Sequence, residues 1–206
     1  MRAAALALLL PLAACSSSRE PASGGSYAVE EAADGSVQIQ VSEGASPEVL
    51  MAALGEAADL LEWTPPEAAA GLRMVESRPY GDDDTGYRYD LADGRFDVYV
   101  YRYGLSADEQ VDETLNAMRQ LVDEGRLDAF EKTDEQRQAV EWEGAEAVLH
   151  RVVFQQTLRG KPTDSYMYLL QDGAWWVKVR ASFAAGRYTP ETLDEMVRAL
   201  LAGGTR

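Results

Sequence analysis

Residues 166–183 read Tyr-Met-Tyr-Leu-Leu-Gln-Asp-Gly-Ala-Trp-Trp-Val-Lys-Val-Arg-Ala-Ser-Phe. Two runs rich in aromatic and branched residues flank Asp172-Gly173, a dipeptide suited to a hairpin turn. With that pair at the centre of the turn, Leu170 stands opposite Trp175, Tyr168 opposite Val177 and Tyr166 opposite Val179. Alternate residues of a strand point to opposite faces, so these six form one apolar face that belongs to a core. The reverse face carries Met167, Leu169, Trp176, Lys178 and Arg180, which mixes large apolar groups with positive charge.

The same pattern extends outward into an antiparallel meander of four strands from Gln138 to Phe183. Its other turns are Glu143-Gly144 and a longer connection over residues 159–164. Upstream, Tyr87 to Leu91 and Arg95 to Tyr103 form a second hairpin through Asp93-Gly94. That turn sets Ala92 opposite Arg95, Tyr89 opposite Val98 and Arg88 opposite Tyr99. Tyr87, Tyr89, Leu91, Phe96, Val98 and Val100 then face the core, and Arg88, Asp90, Asp97, Tyr99, Tyr101 and Tyr103 face away. The stretch 71–80 reads as a further strand, and 81–86, with its run of aspartates, as an exposed loop.

Helices punctuate the strands. Ser46-Pro47-Glu48 opens one that ends near Trp63, with Val49, Leu50, Ala53, Leu54, Ala57, Leu60 and Leu61 on one face. Ser106 and Glu109 supply a capping box for a second, which Gly125 closes. Thr189-Pro190-Glu191 starts a third that buries Leu193, Met196, Val197 and Leu200. Antiparallel strands with interspersed helices define an α+β fold, an antiparallel sheet with helices packed on it. Residues 28–42 add a short hairpin through Asp34-Gly35.

The N-terminal segment has a charged start, an apolar run and Leu12-Ala13-Ala14-Cys15. The run is shorter than the roughly 20 residues that span a bilayer, so it reads as a cleaved export signal. Leu12-Ala13-Ala14-Cys15 resembles the lipobox of bacterial lipoproteins, which implies a diacylglycerol on Cys15 and cleavage just before it. The domain plan expected is a signal peptide at 1–14 and a lipidated Cys with a flexible tether at 15–26. A hairpin and helix at 27–70 then belong to the same domain as the main α+β part, 71–206. Acyl chains contribute about 0.8 kcal/mol per buried methylene and make a lasting anchor. Ser16 after the lipidated Cys implies, in a bacterium with two membranes, the periplasmic leaflet of the outer one. The order of long hairpin, helix, antiparallel meander and C-terminal helix over about residues 71–203, in a lipidated exported chain, is similar to that of the Mog1/PsbP-like group of α/β/α sandwiches. Photosystem accessory proteins and exported lipoproteins belong to that group, mostly as binding or assembly factors, so the resemblance implies a non-catalytic role.

Composition narrows the chemistry. Acidic residues number 35 against 19 basic ones, a net charge of −16. Nucleic acid as a partner is excluded on that balance, because phosphates demand clustered cations. The sole Cys is the lipidation candidate, so neither a disulfide framework nor a thiolate metal site is expected. The sole histidine, His150, lies in a strand apolar on both faces and reads as a core or interface residue. No nucleophile elbow accompanies it, and neither phosphate-binding glycine pattern is present. Asp82, Asp83 and Asp84 lack the spacing of a calcium loop. No cofactor and no metal are therefore expected.

The expected function is that of a membrane-anchored envelope lipoprotein, a non-enzymatic binding or assembly module for an envelope protein or cell-wall component. A carboxylate-dependent hydrolase acting on cell-wall material is the alternative, since acids are abundant and their separation is invisible in a sequence. The candidate binding residues are Arg88, Tyr99, Tyr101, Tyr103, Trp176, Lys178 and Arg180 on the second sheet face. Two arrangements are compatible with that face: helices cover it, or it stays partly open as a groove.

Overall fold

The computed structural model describes residues 17–19, 25–31, 37–60, 63–81, 83–91, 94–102, 104–142 and 145–205. Cys15, Tyr103, Asp34-Gly35 and Glu143-Gly144 lie outside these residues. The chain divides into two compact units, residues 1–61 and 62–206.

In the first unit, β1 (Ser17–Arg19), β2 (Tyr27–Glu31) and β3 (Val37–Val41) form an antiparallel sheet in that order, and α1 (Pro47–Leu60) packs on it. Ser17–Arg19, expected in the tether, instead pairs with β2, Ser17 opposite Val29. Polar residues can do this because an edge strand needs only its backbone groups to extend a sheet. Val49, Ala53 and Ala57 of α1 are buried with Tyr27 and Val29. Leu50 and Leu54, expected on the same face, are each 46% exposed. Among the described side chains, β2 and β3 bury a single row of the helix at i, i+4 and i+8, narrower than the apolar stripe drawn from the sequence.

The second unit contains β4 (Ala68–Ala69), β5 (Leu72–Gly81), β6 (Asp84–Leu91), β7 (Gly94–Arg102), α2 (Ala107–Asp123), β8 (Ala129–Trp142), β9 (Ala145–Leu158), β10 (Lys161–Asp172), β11 (Trp175–Ala184) and α3 (Pro190–Gly203). Its strands make one antiparallel sheet in the order β4-β5-β6-β7-β11-β10-β9-β8, and the fold is α+β. Residues 62–70, grouped with the N-terminal hairpin in the sequence reading, lie in this unit: Trp63 is buried against Trp142, with ring centroids 5.3 Å apart, and Ala68–Ala69 joins the sheet.

Both hairpins keep the faces expected and shift register by two residues. Tyr89 pairs with Phe96 and Tyr87 with Val98, while Tyr168 pairs with Val179 and Leu170 with Val177. Gly173, in the left-handed region at φ 57°, and Ala174 are the residues between the paired Asp172 and Trp175. A displacement of two preserves the side-chain faces, whereas one of a single residue would exchange them. Three boundaries differ from expectation. Residues 159–164 are no long loop: Arg159 and Gly160, both at positive φ, make a tight turn between the paired Leu158 and Lys161. Strand β8 begins at Ala129, nine residues before the expected Gln138. Asp84, assigned to a loop, is the first residue of β6.

Helices lie on both faces of the sheet. Leu193, Met196, Val197 and Leu200 of α3 join Tyr87, Tyr89, Phe96, Val98, Tyr166, Tyr168, Leu170 and Val177 in one core. Val111 and Met118 of α2 pack with Val152, Phe154, Met167, Leu169 and Trp176 on the opposite face. Ser106 and Glu109 form the capping box, and Gly125 follows α2 at φ 67°. Beneath α3, the buried Asp194 accepts hydrogen bonds from Arg151 at 2.7 Å and Tyr168 at 2.9 Å, and Arg151 also pairs with Asp134 at 2.8 Å.

Candidate functional site

The site is built from three neighbouring strands and one helix. Register places Asp84, Tyr101 and Trp176 in one row across β6, β7 and β11. Gly86, Tyr99 and Lys178 form the next row, and Arg88, Asp97 and Arg180 the third. All nine positions belong to the face that α2 packs on, by the alternation of each strand. The helix covers Trp176, Met167 and Leu169, leaving a groove of about 490 Å³ beside it. Asp84, Tyr99, Tyr101, Lys178 and Arg180 line the groove from the sheet, and Gln110 and Glu113 line it from α2. Helical spacing puts Gln110, Glu113 and Thr114 on one side of α2, which is how the helix offers polar groups here while burying Val111 and Met118.

Four of the expected residues, Tyr99, Tyr101, Lys178 and Arg180, therefore meet in one place. Of the other three, Trp176 and Arg88 do not join them. Trp176 is 5% exposed and packs beneath α2 instead of standing in an open patch. Arg88 is held outside the groove lining by Asp97 at 3.1 Å and Glu76 at 2.9 Å. Tyr103 is outside the described residues. Asp84, Gln110 and Glu113 were not anticipated. The spacing of α2 contained a signal for the last two, but only the tertiary placement of the helix shows which strands they face.

The electrostatics of the groove follow from where carboxylates are spent. Arg180 is directly opposite Asp97 on β7. That carboxylate is buried and already engaged by two other guanidiniums: Arg88 donates to Oδ1 and Arg95 to Oδ2. Among the described residues Arg180 makes no ion pair. Lys178 donates to the Thr114 hydroxyl at 3.2 Å and likewise has no carboxylate in salt-bridge contact. Burial pushes its ammonium down to about 8, the neighbouring Arg180 adds to this, and Glu113 opposes it. Asp84 is shifted upward by burial, and its Oδ1 has no hydrogen-bond partner. Burial also raises the Tyr99 phenol. The Tyr101 hydroxyl donates to Gln110, which ties β7 to the helix wall. Chemically, the groove offers two under-compensated cations, two aromatic rings and an orphan carboxylate oxygen.

A second cluster lies at the start of α2. Asp108, Glu135 and His150 bring ligand-type atoms within 4.8 Å of one another. His150 is buried, and its Nε2 is 2.8 Å from Glu135. Each carboxylate already has a cation: Lys132 bonds Glu135 at 2.6 Å and Arg137 bonds Asp108. Those partners hold both acids below the ordinary carboxylate range. A divalent ion would have to displace them, so the trio is accounted for as the hydrogen-bonded junction of α2 with β8 and β9.

No protein-family model and no curated protein matches the chain. It is similar to a crystal structure from Bacteroides thetaiotaomicron VPI-5482, at 14% identity over 60% of this chain and 40% of that one, with a TM-score of 0.31. It is also similar to a protein of unknown function from Pseudomonas aeruginosa, at 10% identity over 60% of this chain and 87% of that one, with a TM-score of 0.29. Likeness at this level carries no information about activity. Among the described residues no helix is long and apolar enough to cross a membrane.

Proposed function

We propose that this protein is an envelope lipoprotein, anchored by a lipid on Cys15, whose second unit acts as a non-enzymatic binding or assembly module. The recognition site is the groove between α2 and strands β6, β7 and β11. The observation that carries this reading is the pair of cations on β11: in a chain of net charge −16, Lys178 and Arg180 stay without carboxylate partners in a concave, partly desolvated site. Leaving cations so placed costs stability, and a ligand group that neutralises them recovers that cost. The partner is an envelope protein or cell-wall component within reach of the membrane surface. The test is crosslinking and pull-down of the lipidated protein, comparing the native chain with Lys178→Ala/Arg180→Ala. Retention of the same partners by the double variant would refute the groove as the site.

One observation favours a second reading, a carboxylate-dependent hydrolase of cell-wall material. Asp84, held protonated to higher pH than usual, lines the same groove as Glu113, and glycoside hydrolysis pairs an acid of raised pKa with a second carboxylate. Turnover of purified cell-wall glycan that is abolished by Asp84→Asn and by Glu113→Gln would establish it, and no turnover by the native chain would dismiss it.

A further inference from the structure

Resting on the lipid anchor of the reading above, we propose that α1 lies on the bilayer surface, with Leu50, Met51 and Leu54 seated among the headgroups of the leaflet that holds Cys15. A helix turns about 100° per residue, which orders the side chains of α1 around its axis. Val49, Ala53 and Ala57 mark the side turned to β2 and β3. Leu50, Leu54, Met51 and Gly55 follow one another around the outer side, and none of them is charged. Leu50 and Leu54 are each 46% exposed and Met51 67%. The other two helices show what an outer side facing water carries: Asp112, Asn116, Arg119 and Asp123 are exposed on α2, and Glu191, Glu195 and Arg198 on α3. A single exposed leucine needs no explanation, but three adjoining large apolar groups on an uncharged arc mark a surface that meets something apolar.

The chain itself says what that is. Ser17, the first residue of β1, stands two residues after Cys15, and two residues of extended chain span at most about 7 Å. Because β1 is paired with β2 in register, the lipid is tied to the first unit by that short link and not by a long tether. Neighbouring strands are about 4.8 Å apart, so the three-stranded sheet under α1 is only about 10 Å across. The bilayer is therefore the apolar surface always within reach of α1. Three side chains are too few to hold a protein there, but they suffice to orient a unit that acyl chains already hold. The kind of lipid follows from charge. α1 has no Lys or Arg to draw it to anionic headgroups, and Glu48 and Glu56 stand outside the apolar arc, so the surface it fits is a neutral one.

Spin labelling of the lipidated full chain in phosphatidylcholine vesicles tests the assignment. Its sole Cys carries the lipid, so one introduced cysteine is the only free thiol. One sample is labelled at Met51→Cys. A second is labelled at Gln40→Cys, an exposed position of β3 between Ile39 and Val41, which pack toward α1, and so on the opposite sheet face. Expected at Met51→Cys is a label that collides more with oxygen, which concentrates in lipid, than with a water-soluble nickel chelate, and at Gln40→Cys the reverse. Replacing part of the phosphatidylcholine with phosphatidylglycerol should shift the Met51→Cys label toward the chelate. Adding Leu50→Ser/Leu54→Ser should shift it the same way while the protein stays on the vesicles and melts as before. A Met51→Cys label with the aqueous pattern of Gln40→Cys would overturn the proposal, and so would one shielded from both reagents, since protein and not lipid would then cover α1. Failure of the anchor reads differently: Cys15 then remains open to thiol reagents and the chain stays out of the vesicle fraction, which removes the anchor and this proposal together.

Discussion

Lys178 is the residue at which stability and binding are set against each other. Its ammonium is held at about 8 by burial, below the ordinary lysine value of 10.5. The folded state therefore binds fewer protons than the unfolded state between those values, and stability rises with pH through that window. The penalty is present in full below about pH 8 and is relieved as pH climbs toward 10.5. Lys178→Met, which keeps the stem and removes the charge, is expected to raise stability at pH 7 by on the order of 1 kcal/mol while removing anion binding, measured by denaturant unfolding and titration of the same sample. For the native chain, affinity for an anionic ligand group should be level up to about pH 8 and fall above it as the ammonium loses its proton. An affinity unchanged from pH 7 to 10 would show that Lys178 does not touch the anion. Trp176 behaves in the opposite sense. It is buried under α2, so Trp176→Ala should open a cavity and cost roughly 3 to 5 kcal/mol of stability. A mutant melting like the native chain would place the ring outside the core.

At the scale of elements, α3 is fastened to the sheet by packing and by one buried polar network. Asp194, itself buried, accepts from Arg151 and Tyr168. Asp194→Ala leaves the buried Arg151 guanidinium with Asp134 as its carboxylate partner and takes the acceptor from the Tyr168 hydroxyl, and a loss of about 2 to 3 kcal/mol is expected in chemical denaturation, with part of it restored in Asp194→Asn. A loss under about 1 kcal/mol would mean that Arg151 relaxes to solvent. The elements differ in how openly the sequence announces them. The faces of β6, β7, β10 and β11 are legible because period-two alternation survives a register error of two residues, and both hairpins slipped by that amount. The first half of β8 is hidden because Glu131, Lys132, Asp134, Glu135 and Arg137 replace alternation with charge, as an edge strand that must resist pairing requires. The candidate site is half legible for the same reason. Tyr99, Tyr101, Lys178 and Arg180 follow from strand register alone. Gln110 and Glu113 come from a helix whose seat on the sheet is a tertiary fact, and Asp84 was concealed in a run of aspartates that reads as a loop. The burial of Trp176 likewise depends on how much of the sheet α2 covers, which no strand pattern contains.

At the scale of the whole molecule, the proposed lipid on Cys15 and the proposed binding groove, set in a chain of net charge −16, are tested separately. The anchor makes a separate prediction: Cys15→Ser should move the protein from the membrane fraction to the soluble envelope fraction, and for a two-membrane bacterium the native protein should sediment with the outer membrane. Native protein found in the soluble fraction would rule out the lipid. The groove makes the central one. Crosslinking of the lipidated native chain in intact envelopes, followed by quantitative comparison with Lys178→Ala/Arg180→Ala, reads binding directly, with the melting transition of both proteins measured in parallel. Expected is a defined partner captured by the native chain and lost by a double variant that remains folded; a partner captured equally by both would contradict the groove as the binding site.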